Sequence, residues 1–377
     1  MKKKKEPIPK TIERKSKQWL ARGLLALVGS VDGKDRFEGP LNSIIIQAQE
    51  KIGDAILLTP LLKLLRTALP EAEIHLVTYS SVYAFFRNDP HIDQVHRGKN
   101  HYGALYKAMR GREFDVLFST KDHFSFTFVY QARLIPARYR VGIEHPLHAG
   151  FFHRLIRLDF HQHVVEKNCA LLDLLNIPYR KEDCRPYLPE ADVSEPVRKF
   201  ATHLTTQKPV GINLSAGEKD REWTLEKWVD LMGRMNHPVV VLAMPDRAQD
   251  KHFLETRFDH VIPSPQTRSI YDAGQIIRRL KVLISPDTSL VHVASCYGIP
   301  VAGLYRADLD HIERFYPYAV PHRILASPTH RVTDIDVESV LNAVDDLMDK
   351  GSQGELNRPN KTRVVTEKRA IRRTTRT

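Results

Sequence analysis

Residues 283–305 read LISPDTSLVHVASCYGIPVAGLY. The apolar run Val282–Ser285 is short enough for a buried strand, and so is Val301–Tyr305. Between them, residues 289–297 have helical spacing, with Leu290, Val293, Ala294 and Tyr297 expected on the buried side. Thr288 or Ser289 can cap the helix start, and Gly298 followed by Pro300 stops it. Strand, short helix and strand in so few residues make a crossover between parallel strands, the unit of a doubly wound α/β sheet.

The same alternation extends in both directions. Upstream, Ser43–Ala48, Glu73–Tyr79 and Phe114–Thr120 read as strands, with helices near 54–69, 124–134 and 164–176. Thr59-Pro60 predicts a kink in the first of these helices. Prolines 178, 186, 189 and 196 then fall among charged residues with few apolar positions, which marks a linker. After it the strands are Val210–Leu214, Val239–Ala243, Val282–Ser285 and Val301–Tyr305. The helices lie near 225–235, 247–257, 269–280, 289–297 and 336–349. The expected organisation is a basic amphipathic segment 1–30, a Rossmann-like domain 31–185, a second Rossmann-like domain 186–350 and a basic disordered tail 351–377. Open sheets of this kind take ligands beyond the carboxyl ends of their strands, so two of them facing each other would define a cleft.

The formal net charge of the 377 residues is +12, and it is concentrated at the ends. Residues 1–23 carry nine Lys/Arg against two Glu, and residues 351–377 carry eight against two, so the body between them is close to neutral. That argues against a nucleic-acid groove on the folded domains. It leaves the ends free to meet anionic lipid or other polyanions. Residues 10–28 have amphipathic spacing, with Ile12, Trp19, Leu20, Leu24, Leu27 and Val28 roughly on one face. Two readings stand: a helix lying on an anionic leaflet with Trp19 at the headgroups, or a helix docked on the protein's own surface. No run approaches the ~20 apolar residues of a membrane span, and no secretory signal is read. Three cysteines, Cys169, Cys184 and Cys296, give neither a disulfide framework nor a zinc knuckle, and fit a reducing cytoplasm.

Three segments could carry chemistry. In Gln49-Glu50-Lys51-Ile52-Gly53-Asp54, Gly53 allows a tight turn and Asp54 opens a helix. Asp54 can be an N-cap, or a carboxylate able to accept a proton from a hydroxyl. In Ser285–His292, the N–H groups of Thr288 and Ser289 could bind phosphate at a helix N-terminus, or form a capped turn with no ligand. In Asn213–Trp223, Ser215, Gly217, Lys219 and Arg221 form either a diphosphate-binding loop or a solvated one. His161-Gln162-His163 reads as surface rather than as a metal site. There is no H-E-x-x-H, Walker loop, G-x-G-x-x-G or G-x-S-x-G.

Taken in order, IIIQAQEKIGDAILLTPLLKLLRTALPEAEIHLVT (44–78), VGINLSAGEKDREWTLEKWVDLM (210–232) and LISPDTSLVHVASCYGIPVAGLY (283–305) resemble glycosyltransferase family 9, the ADP-heptose heptosyltransferases. The resemblance covers roughly residues 43–345. It implies a GT-B architecture and an inverting, metal-independent transfer of heptose from ADP-heptose to a lipid-linked saccharide of the lipopolysaccharide core. A GT-B enzyme with another nucleotide sugar, or a non-catalytic relative, is the alternative. The resemblance makes Asp54 the general base and assigns the donor to Ser215, Arg221, Asp246, Asp287, Thr288, Ser289 and His292. Gly53 shapes the cleft backbone, and no metal site or cofactor is expected. Arg221 stands where relatives often have Lys, and Asp287-Thr288-Ser289 where they often have Asp-Thr-Gly. The implied location is peripheral, on the cytoplasmic face of the inner membrane. Arg133, Arg138, Arg140, Arg154 and Arg157 could meet acceptor anions or be solvated surface.

Overall fold

The computed structural model describes residues 10–98 and 100–352. The tail expected over 351–377 therefore lies almost wholly outside the described residues, as do residues 1–9. The chain divides after Cys184 into two compact units.

The first unit runs α1 (Lys10–Val28), β1 (Ser43–Gln47), α2 (Ile52–Ala68), β2 (Glu73–Thr78), α3 (Ser80–Phe86), β3 (Gln94–Arg97), α4 (Tyr102–Met109), β4 (Phe114–Ser119), α5 (Phe126–Leu134), β5 (Ala137–Ile143), β6 (Arg154–Ile156) and α6 (Val164–Leu174). Its six strands are all parallel in the order β3-β2-β1-β4-β5-β6, the arrangement of a dinucleotide-binding domain. The central strands are sealed on both faces, and Ile44, Ile45 and Ile46 are fully buried. That is why β1 is a continuous apolar run rather than an alternating one. Pro60 sits inside α2 and cannot donate to the Ile56 carbonyl. The Thr59 hydroxyl donates to that same carbonyl at 2.8 Å, so the helix continues through the proline.

The second unit runs α7 (Glu195–His203), β7 (Val210–Asn213), α8 (Leu225–Arg234), β8 (Val239–Leu242), α9 (Ala248–Arg257), α10 (Ile270–Ile277), β9 (Val282–Pro286), α11 (Ser289–Tyr297), β10 (Val301–Tyr305), α12 (Leu309–Phe315), β11 (His322–Ala326) and α13 (Val337–Ser352). Its five parallel strands are ordered β11-β10-β9-β7-β8. This too is doubly wound, in the flavodoxin-like order. Trp223 and Trp228, both fully buried, meet edge to face at 4.8 Å in its core. The Trp223 indole N–H donates to the Ile335 carbonyl at 3.0 Å, which pins the end of the loop that follows β7. Gly298 closes α11 at φ 73°, and the Ile299 N–H reaches back to the Ala294 carbonyl at 3.0 Å. A left-handed residue is needed there, so glycine ends the helix as its sequence position suggested.

Helix α1 is docked on the protein's own surface along part of its length, as the second sequence reading has it. Ala21 and Leu24 are buried and Leu25 and Val28 half-buried against the first unit's core. Trp19 (73 % exposed), Leu20 (51 %) and Leu27 (76 %) are not part of that face. With Ser16, Gly23 and Phe126 of α5 they line a separate apolar recess. The single apolar face expected from the spacing is thus two stripes, one docked and one open. Lys15 and Arg22 are exposed along the edge of the open stripe. The side chain of Ile12 lies outside the described residues.

Candidate functional site

Each sheet has one point where the chain leaves to either side, and open sheets of this kind take their ligands there. In the second unit that point lies between β7 and β9. Asn213 ends β7, and its amide nitrogen donates to the Ser285 hydroxyl (3.0 Å), the Thr288 hydroxyl (3.2 Å) and the Ser215 carbonyl (3.1 Å). Its amide oxygen accepts from the Ser215 N–H at 3.1 Å. The Ser215 hydroxyl accepts from the Met244 N–H at 2.7 Å, which ties in the loop after β8. One buried asparagine therefore holds the loops after β7 and β9 in register.

Thr288 is the N-cap of α11, its hydroxyl accepting from the Leu290 N–H at 3.3 Å. Ser289 opens the helix, where the first N–H groups have no intrahelical acceptor and the dipole favours an anion. His292, one turn on, is buried, and burial drives its pKa down to about 4, so the ring is neutral near pH 7. Its Nδ1 is buried without a hydrogen-bond partner, an uncommon condition for a polar atom.

Asp287 faces Arg221 and His311. Arg221 Nη1 is 3.0 Å from its Oδ2 and 3.3 Å from its backbone carbonyl oxygen, and His311 Nε2 is 2.8 Å from the same Oδ2. Burial pushes the Asp287 carboxyl up, but the His311 hydrogen bond and the nearby positive charge of Arg221 outweigh it. The carboxyl is held below its ordinary value. The Arg221 guanidinium also lies 3.6 Å from Glu218, which pairs with Arg306 at 3.2 Å. A chain of alternating charges, Arg306, Glu218, Arg221 and Asp287, thus runs beside the α11 N-terminus, with His311 as a further partner of Asp287. Asp246 is exposed on a 3₁₀ turn at Pro245–Arg247, in that same loop after β8.

In the first unit the reversal lies between β1 and β4. Gln49, after β1, donates to the Thr120 carbonyl at 3.4 Å, and the Thr120 hydroxyl donates to the Gln47 carbonyl at 2.8 Å. The N-cap of α2 is Lys51, which makes Asp54 the third helical residue, half-buried, rather than the cap itself. Gly53 correspondingly takes helical backbone, not the tight turn expected of it, because the helix begins at Ile52, one residue before it.

Arg133, Arg138, Arg140, Arg154 and Arg157 are each engaged with the protein itself. Arg140 donates to the carbonyls of Ala132, Ile135 and Ala137, closing the end of α5. Arg133 donates to the Val28 carbonyl, and Arg138, Arg154 and Arg157 pair with Asp115, Asp35 and Glu144. His163 is buried as the N-cap of α6, where its ring accepts from the Val165 N–H, so the surface reading of 161–163 does not hold for it.

Sequence reasoning left out Asn213 and His311. A polar residue closing the apolar run Val210–Asn213 was a signal for the first. Nothing in the sequence around His311 points to Asp287, which lies in a different connection.

Two doubly wound α/β domains, with Arg221 beside a helix N-terminus at the switch point of the second, make a fold of the GT-B type. The model of Glycosyltransferase family 9 (heptosyltransferase) matches residues 102–343, well over half the chain, and the chain belongs to that family. It is similar to the lipopolysaccharide core heptosyltransferase OpsX of Haemophilus influenzae, with 22 % identity over 214 residues, 54 % of this chain and 60 % of that protein. It is also similar to lipopolysaccharide heptosyltransferase 3 of Escherichia coli, with 22 % identity over 284 residues, 69 % of this chain and 82 % of the relative. Among solved structures, E. coli heptosyltransferase WaaC with ADP superposes with a TM-score of 0.62 at 17 % identity, covering 82 % of this chain and 99 % of WaaC.

Proposed function

We propose that this protein transfers heptose from ADP-heptose to a lipid-linked saccharide of the lipopolysaccharide core, with inversion and without a metal. The observation that carries the reading is the arrangement at β7 and β9. The N-terminus of α11, Arg221 beside it and the unpartnered Nδ1 of neutral His292 are all suited to a diphosphate. As the sugar–phosphate bond breaks, charge grows on the departing ADP, and fixed donors of this kind stabilise it without reorganising. Asp287, with Oδ2 held by Arg221 and His311, is left able to accept sugar hydroxyls through its other oxygen. Ser215 and the Thr288 and Ser289 N–H groups complete the donor side, and Asp246 has the weakest support because it is exposed on the turn after β8. In the first unit, Asp54 takes the acceptor proton.

Calorimetric titration with ADP, UDP and GDP tests the donor. ADP is expected to bind at least tenfold more tightly than the other two. Equal affinities would remove ADP-heptose as the donor, and binding without transfer to any core acceptor would leave a sugar-nucleotide-binding protein.

The reading also gives α1 a role at the anionic cytoplasmic face of the inner membrane. Its open stripe of Trp19, Leu20 and Leu27, edged by Lys15 and Arg22, suits such a surface, and an amphipathic helix binds by apolar area and charge together. Among the described residues no helix is long and apolar enough to cross a membrane. Removal of residues 1–30 is expected to abolish sedimentation with vesicles containing anionic lipid, and persistent binding would assign the anchor elsewhere.

A further inference from the structure

Three lysines are buried among the described residues: Lys121, Lys167 and Lys251. Lys167 pairs with Asp122 at 2.9 Å, and Lys251 with Glu255 at 3.3 Å, as expected of ammonium groups taken out of water. Lys121 is the exception. It is 8 % exposed, and its Nζ lies 3.5 Å from the Gln49 side-chain oxygen and 4.9 Å from the centre of the Phe128 ring. A long contact to a neutral amide and an aromatic face do not replace the hydration of a full charge. The adjacent carboxylate, Asp122, is already engaged by Lys167, which also donates to the Phe160 carbonyl at 2.7 Å.

The position of this cation is as telling as its solitude. It follows β4 by two residues and touches the loop after β1, so it sits at the reversal point of the first sheet. That is where open α/β sheets bind ligands. The loop it touches leads into the helix that carries Asp54 in its first turn.

We infer that Lys121 is an anion-binding residue of the first unit, and that it receives a phosphate or carboxylate group carried by the saccharide acceptor. The inference rests on the reading of this unit as the acceptor side. Without its anion, Lys121 is a buried side chain held by an amide oxygen and an aromatic face, and replacing it with an apolar residue is expected to stabilise the fold while costing the ligand.

The test uses the full chain with saturating ADP, which occupies the phosphate site of the second unit. Thermal midpoints of wild type, Lys121→Met and Lys121→Arg are followed while inorganic phosphate or glucuronate is added. Without added anion, K121M is expected to melt a few degrees above wild type. Wild type and K121R should gain several degrees with one of the two anions, and K121M none. The anion giving the larger gain identifies the group on the acceptor. With an acceptor in hand, K121M should raise its KM at least tenfold with kcat changed less than threefold. A K121M protein that melts lower and still responds to the anions, or a wild type that responds to neither, overturns the inference. A Lys121-dependent response in a protein that does not use ADP-heptose would instead overturn the transfer reading and leave the anion site standing.

Discussion

Replacing Asp54 by asparagine is expected to lower turnover by ~10²–10⁴-fold, the usual contribution of a positioned general base, and to leave ADP affinity within twofold of wild type. Asparagine keeps the shape of the side chain and a hydrogen-bonding oxygen at the third position of α2. It loses the ability to accept a proton. The substitution also removes a negative charge from a helix N-terminus, worth about 0.3–1 kcal/mol. That is too little to unfold a sheet whose central strand is fully buried. A loss of turnover with an unchanged melting profile and unchanged ADP binding therefore reports the missing base. Asp54→Glu separates chemistry from position, because it retains the proton acceptor but displaces it by one methylene. An intermediate rate is expected for it. Unchanged kcat in the asparagine variant would remove Asp54 from the mechanism, whatever the family resemblance suggests.

The parts of the fold that were legible are those whose strands are buried on both sides. β1, β4, β7, β8, β9 and β10 are buried and largely apolar because helices cover both faces, Asp115 in β4 being the exception, and the sequence marks each within one or two residues. β3, with its ends exposed and its middle half-buried, and β11, half-buried throughout, lie at sheet edges where one side of the strand meets solvent, so their sequences QVHR and HRILA carry no such run. β5 (ARYRVGI) was hidden differently. Two arginines interrupt it, and Arg140 is accommodated because three carbonyls take up its hydrogen bonds. Helix α1 showed its amphipathic character but not that its apolar residues divide between a docked and an open stripe, since spacing alone does not say which neighbours exist. The site follows the same division. Asp287, Thr288, Ser289 and Arg221 lie in connections that directly follow strands, so their convergence could be anticipated from order along the chain. His311 reaches Asp287 from α12, and Lys121 meets Gln49 across 72 residues. Such contacts depend on strand order, which local sequence does not specify.

Arg221 carries the second large effect. Its Nη1 bonds both the carboxylate and the backbone carbonyl of Asp287, and its side chain is 17 % exposed. Loss of one preorganised donor to a developing anion typically lowers kcat ~10²–10³-fold, and that range is expected for Arg221→Met. The variant should also bind ADP more weakly, because the same cation serves the ground-state diphosphate. Stability should fall as well, since Asp287 would be left buried with His311 as its remaining partner. Arg221→Lys distinguishes charge from geometry. Lysine restores the charge at a single point, whereas the planar fork can hold Asp287 with one nitrogen and present another to phosphate. ADP affinity is therefore expected to recover substantially in the lysine variant, while turnover recovers only in part. The measurements are kcat with ADP-heptose and the calorimetric Kd for ADP across all three proteins. If Arg221→Met retains wild-type ADP affinity and turnover, the diphosphate lies elsewhere, and the pair Arg221–Asp287 is a structural tie between the loops after β7 and β9.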